Sequence, residues 1–190
     1  MKNLLLFLVF ACTFSFSCLG NPVPFSPIVR NYSVLDYNAG NENWAVAQDE
    51  RGVMYFGNNS GLLRYDGSRW KLFPLPTSGI VRAVYVASDR RIYVGSFEEF
   101  GYFEQNDLNL LEYHSLKEQV KGFDFHNDEI WTIVEQGGNI IFQSFGSYFI
   151  YDGKGTKGVR CPELPLNLFR IGDTLYSQLI NGGVCTFAGD

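Results

Sequence analysis

Histidine and methionine are scarce in this 190-residue chain, with two of each, and cysteine occurs four times. Cys12 and Cys18 fall in the first twenty residues, so only Cys161 and Cys185 stand beyond them. There is no Cys-x-x-Cys, and His114 and His126 are isolated from any cysteine, which denies zinc its usual donor set. No metal and no cofactor is expected. Basic residues are in deficit too. Taking away residues 1–20 removes Lys2 and no acid, so 15 basic against 20 acidic residues becomes 14 against 20, or −6. Nucleic acid binding depends on Lys and Arg neutralising phosphates, and this segment is not expected to bind it. Gly-x-Ser-x-Gly and phosphate-cradling glycine loops are missing as well, and no stretch shows a helical period.

The chain has one apolar run, at its start. Lys2 precedes Leu4–Cys12, small residues follow, and Cys18-Leu19-Gly20 offers a cleavage point before Asn21, the layout of a secretory signal over residues 1–20. A retained anchor is the competing reading, but the run is short against the roughly 20 residues that a span needs, and Thr13, Ser15 and Ser17 interrupt it. A lipid anchor on Cys18 fits less well, because Ser15-Phe16-Ser17 lacks an aliphatic residue there. Export to the periplasm is the expectation. In that oxidising compartment Cys161 and Cys185 are either a disulfide or two small hydrophobes in neighbouring strands, and the second reading is preferred.

What the chain does have is repetition. NWAVAQDERGVMYFGNNSGLLRYDG (43–67) and IWTIVEQGGNIIFQSFGSYFIYDG (130–153) align with a one-residue gap. Trp44 falls on Trp131, Phe56 on Phe142, and Tyr65-Asp66-Gly67 on Tyr151-Asp152-Gly153. Between them, AVYVASDRRIYVGSFEEFGYF matches the first copy at a constant offset of 38 residues. A fainter copy runs through IGDTLYSQLINGGVCTF. Within a copy the period is two: Trp44–Ala47, Val53–Gly57, Leu62–Tyr65 and Trp70–Phe73 read as strands, separated by tight polar turns. Four short antiparallel strands recurring at about 40 residues are the mark of a β-propeller blade.

The expected fold is therefore all-β, with about four blades of four antiparallel strands near 43–75, 81–114, 130–160 and 168–190. Residues 21–42 are expected to give an extended, proline-rich lead-in and an N-terminal strand over Ile28–Leu35. Ser115–Glu129 is an insertion whose Val120, Phe123 and Phe125 suggest a covering strand or short flap. The fourth copy has only three strands, which suits an incomplete part of a larger propeller. The alternative is a closed four-blade ring in which Ile28–Leu35 supplies the missing strand.

Asp49-Glu50-Arg51-Gly52, Met54-Tyr55-Phe56-Gly57 and Gly61-Leu62-Leu63-Arg64-Tyr65-Asp66 resemble the two-component regulator propeller repeat. Asn58 stands where that repeat commonly has Thr. Blade one carries the resemblance well, blade two moderately, and blades three and four loosely. The resemblance implies the N-terminal part of a periplasmic sensor, often for oligosaccharides. It further implies a parent that is membrane-anchored, with a kinase or helix-turn-helix output, and that is a candidate homodimer.

Chemistry is sparse. Glu98-Glu99 is the one local carboxylate pair, but neighbours on a strand point to opposite sides, so no enzyme is expected. His126-Asn127-Asp128-Glu129 reads as a polar turn and not a metal site. Binding is the stronger reading, because rigid strands present the loops Asn58–Gly61, Ser96–Glu99, Ser144–Ser147 and Ile180–Gly183 around a channel mouth. The candidates for a glycan contact are Asn58, Asn59, Phe97, Glu98, Glu99 and Phe145. Trp44, Tyr55, Phe56, Tyr65 and Trp131 are expected to pack between blades. A secreted adhesion module without a signalling role is the alternative to the sensor.

Overall fold

The computed structural model describes residues 27–187 except 78 and 109. The signal segment and the first part of the lead-in lie outside the described residues. The chain divides into residues 1–31 and 32–190. Of the first unit, residues 27–31 are described and have no regular secondary structure.

The second unit is all-β, as expected. Blade one is β1 (Asn43–Gln48), β2 (Met54–Asn58), β3 (Gly61–Tyr65) and β4 (Trp70–Phe73). Blade two is β5 (Ala83–Val86), β6 (Ile92–Ser96), β7 (Glu99–Gln105) and β8 (Leu111–Ser115). Blade three is β9 (Thr132–Gln136), β10 (Asn139–Gln143), β11 (Ser147–Tyr151) and β12 (Thr156–Arg160). Blade four contributes β13 (Pro165–Ile171), β14 (Thr174–Leu179) and β15 (Val184–Thr186) among the described residues. Each sheet is an antiparallel meander, and the first strands of successive blades lie side by side.

The Asp-Gly turns show why the copies resemble one another. The Asp66 carboxylate accepts the backbone N–H groups of Arg69 (2.9 Å) and Ser68 (3.0 Å), while Gly67 adopts φ +92°. Asp152 accepts those of Lys154 and Gly155, both at 2.8 Å, beside Gly153 at φ +87°. An aspartate acceptor followed by a left-handed residue closes each hairpin. The bonds from Arg69 and then Ser68 hold the Asp66 carboxyl down at about 2.

Blades meet through apolar layers. Tyr55, Leu62 and Val81 pack with Ile92, Val94 and Phe103 between blades one and two. Tyr93, Phe100 and Tyr102 pack with Ile133, Phe142 and Phe149 between blades two and three. Ile141 and Tyr148 meet Leu168 and Leu175 between blades three and four. One repeat position sets the spacing. A Cβ on Gly57 would lie 2.6 Å from the Val81 carbonyl oxygen, and one on Gly95 would overlap the Ile130 side chain. The chain arriving for the next blade fills that space. In blade three the same position is the buried Gln143, whose Nε2 donates to the Pro165 carbonyl at 3.1 Å.

Two expectations need correction. No strand forms over Ile28–Leu35. Val34–Tyr37 is instead a single helical turn, α1, because Asp36 accepts the Ser33 N–H (2.6 Å) and hydroxyl (2.7 Å) and Asn38 ends the turn in the left-handed region. Tyr32 and Tyr37 then place their rings 5.2 and 5.5 Å from Trp70, covering the outer face of blade one. The first strand of blade four begins at Pro165, earlier than 168, with proline at the first strand position, where its missing donor matters least. Of the two forms expected for the insertion, the flap is the one that forms: one 3-10 turn at Lys117–Gln119, then irregular chain that lays Val120, Phe123 and Phe125 on the core between blades two and three.

Candidate functional site

Trp44, Arg82 and Trp131 occupy one repeat position. Each precedes the residue (Ala45, Ala83, Thr132) that pairs with Gly57, Gly95 or Gln143. That position begins the first strand of a blade, so the three side chains converge where blades one, two and three come together. The Arg82 guanidinium carbon lies 3.7 Å from the centre of the Trp44 ring and 5.1 Å from that of Trp131. The two indoles approach edge to face at 6.3 Å, and Phe145 adds a third ring 5.7 Å from Trp131. Arg82 Nε donates to Glu129 Oε1 at 2.7 Å, which fixes the plane of the guanidinium.

Trp44 was expected in the core, yet it is 43% exposed. Trp44 has no partner in the β1–β2 ladder, where the register shifts between Asn43 and Ala45, and it shares the exposed face of β1 with Val46. Its indole N–H donates to Asn59 Oδ1 at 2.7 Å, and Asn59 Nδ2 donates to Glu42 Oε2 at 3.0 Å. Asn59 therefore aims the ring. Tyr55 does pack in the core as expected.

The other loop candidates divide. Phe145 joins the aromatic row, and Phe97, 53% exposed, pairs with Glu129 through a backbone bridge. Glu98 takes the Asn127 N–H at 3.1 Å and lies 3.9 Å from the Lys117 ammonium, so it holds the flap. Two candidates are corrected. Asn58 is fully buried, donating to the carbonyls of Gly40 (2.7 Å) and Glu42 (3.1 Å) and accepting from the N–H groups of Gly40 and Ser60 (both 2.9 Å). Its hydrogen-bonding capacity is spent on the lead-in. Glu99 is buried and accepts from the hydroxyls of Tyr113 and Ser115, each at 2.7 Å. Burial, with that carboxylate alongside, pushes the Tyr113 hydroxyl far above its ordinary range.

The flap forms the wall beside the aromatic row. A 320 Å³ pocket there is lined by His126, Asn127, Glu129, Phe145, Arg160 and Leu164, among others. Asp128, at its back, accepts the Ser144 hydroxyl at 2.5 Å and an Arg160 N–H at 3.2 Å. Burial alone would raise its carboxyl. The bonds from Ser144, Ser147 and the His126 N–H, with the Arg160 charge, outweigh that and hold it below the usual range. Arg160 also donates to His126 Nδ1 at 3.1 Å. The same ring nitrogen lies 3.1 Å from the Asp124 backbone carbonyl, and Nε2 lies 3.3 Å from the Asp124 carboxylate.

Exposed ring faces flanked by a carboxylate and amides suit a ligand with apolar C–H faces and hydroxyl edges. Sequence reasoning missed Arg82. Its signal was the alignment itself, which puts a cation where blades one and three have tryptophan.

No family model matches the chain, and no curated protein matches it. Solved structures do. The extracellular domain of the putative one component system BT4673 from B. thetaiotaomicron superposes with TM-score 0.58 at 18% identity, over 77% of this chain and 20% of that one. That of the putative hybrid two component system BT3049 from the same organism gives 0.59 at 15%, over 82% and 22%. Virginiamycin B lyase from Staphylococcus aureus gives 0.56 at 11%, over 76% and 55%. The fold is that of a β-propeller. This chain spans about one fifth of the length of the two Bacteroides domains.

Proposed function

We propose that this chain is a ligand-binding segment of an exported sensor propeller, and that its ligand is an oligosaccharide. One observation carries the reading: Trp44, Trp131 and Phe145 form a continuous aromatic row at the meeting point of three blades, braced from within by Arg82 and Glu129. Aromatic faces held rigid lose little entropy when a sugar ring stacks on them, and Glu129, Asn127 and Asn59 stand beside them as hydroxyl partners. The repeat sequence, and the likeness to the extracellular domains of BT4673 and BT3049, support placing it in the periplasm as the first blades of a membrane-anchored signalling protein. In such a parent, a homodimer would carry the signal if ligand shifted its equilibrium between two arrangements.

Calorimetry of the purified chain against a panel of neutral oligosaccharides tests the binding step. Heat that disappears in Trp44→Ala supports it. A panel with no heat, or heat unchanged in Trp44→Ala, overturns it. Retention on an insoluble polysaccharide with no response to soluble fragments would favour the adhesion module instead.

A further inference from the structure

The turn joining the first two strands lies at the far end of each blade from Trp44 and Arg82. In every blade it contains a residue in the left-handed region: Gly52 at φ +82°, Gly138 at +81°, Gly172 at +58° and, in blade two, Arg90 at +67°. The turn itself is conserved, since Arg90 N–H donates to the Ala87 carbonyl and Gly52 N–H to that of Asp49, both at 3.0 Å. A side chain in this conformation strains the backbone where glycine does not. Three blades take the unstrained residue, and one keeps an arginine.

That arginine lines a groove of about 460 Å³ between blades one and two. The other charges in the groove are mostly committed. Arg51 pairs with Asp49 at 2.9 Å, and Arg91 with Glu104 at 2.8 Å. Asp89 receives the Tyr93 hydroxyl at 2.8 Å. Arg90 and Glu50 line the same groove, and among the described residues neither side chain has an ion pair or hydrogen bond. Val86, Ile92 and Leu111 supply apolar surface. Among the described residues, no group of three or more His, Cys, Asp or Glu side chains is placed to hold a metal ion, so these acids are not a cation site.

We infer that this groove binds a small zwitterion, its carboxylate on Arg90, its ammonium on Glu50 and its apolar body against Val86, Ile92 and Leu111. Strain kept at one turn, when the other three blades show the relaxed solution, is the pattern of a residue retained for what it contacts. The size suits an amino acid or dipeptide. The site is separate from the aromatic row, so neither reading depends on the other.

The test is calorimetry and thermal shift on the purified chain with L-leucine, L-phenylalanine and Leu-Leu, beside N-acetyl-leucine and leucinamide. The free zwitterions are expected to bind, and blocking either end to weaken binding about tenfold or more, as loss of a charge-assisted hydrogen bond does. Arg90→Gly restores the residue of the other blades, so its melting temperature holds or rises while zwitterion binding is lost. Glu50→Gln removes the preference for leucine over N-acetyl-leucine. Three results overturn the inference: no binding of the zwitterions at millimolar concentration, equal binding by Arg90→Gly, or N-acetyl-leucine and leucinamide both binding as tightly as leucine. None of these bears on neutral oligosaccharides at the mouth.

Discussion

Arg82 stacks on Trp44 at 3.7 Å while its Nε holds Glu129 at 2.7 Å, so one side chain ties blade one to the flap that precedes blade three. Both members of the ion pair are largely withdrawn from water, at 15% and 23% side-chain exposure. Arg82→Met would leave Glu129 unpaired in a low-dielectric site and remove the cation from between two indoles. The expected cost is about 2 kcal/mol, below the range for fully buried pairs because some solvent reaches both groups. Arg82→Lys would recover the charge but not the planar stacking, and should regain less than half of the loss. Urea midpoints of the three proteins decide this, and equal midpoints for wild type and Arg82→Met would show that the cluster contributes nothing.

Asn58 and Asn59 are adjacent in sequence and opposite in role. Asn58→Ala strips four or more part-buried hydrogen bonds, three of them to Gly40 and Glu42. A loss of about 2 kcal/mol is expected, since several backbone groups lose a partner at once and solvent reaches them only in part. Asn59→Ala breaks exposed bonds and should cost under about 1 kcal/mol, while freeing Trp44 and weakening any ligand stacked on it. A stability loss of similar size in both variants would contradict the division.

That pair also shows what the sequence could and could not reveal. Period-two alternation and the recurring Asp-Gly turns disclosed the blades, because strand and hairpin chemistry is local. Asn58 was legible as a turn residue, but nothing local says whether its amide meets solvent or the carbonyls of Gly40 and Glu42. That depends on how the lead-in folds back, a contact across 16 and 18 residues. Trp44 misled for a related reason. Alignment gave it the strand position of a core residue, yet it lies on the exposed face of β1 with Val46. The turn at Val34–Tyr37 is written locally, in Ser33 and Asp36, while Tyr32 and Val34 also fit a strand's alternation.

Acid should weaken the flap through Asp128. Its carboxyl is held below the ordinary value, so the folded state binds its proton less readily than the unfolded chain does. The stability this contributes is complete above about pH 4 and is lost as pH falls through the lowered value. Asp128→Asn is expected to be less stable at neutral pH and to lose less on acidification between about pH 4 and 2. Thermal melts of both proteins across that window give the comparison, and parallel acid limbs would exclude Asp128 as a contributor.

Alkali acts in the opposite sense at Tyr148. Burial pushes its hydroxyl up to about 12, despite the 2.6 Å hydrogen bond with Ser177, which favours the ionised form. The folded state therefore retains a proton that the unfolded chain gives up near pH 10. Stability from this group is complete below that pH and falls away as pH climbs toward about 12. Tyr148→Phe removes the ionisation and leaves the buried Ser177 hydroxyl without its partner, a cost of about 1 kcal/mol at pH 7. In return, its urea midpoint should fall less steeply than that of the wild type between about pH 10 and 12. Absorbance at the tyrosinate band would report the same event directly, with Tyr148 ionising together with unfolding. If the variant's midpoint fell as steeply as the wild type's, the alkaline loss would come from the other groups that burial raises, Tyr93 and Tyr113 beside Asp89 and Glu99 and the Cys161 thiol, pushed up to about 11.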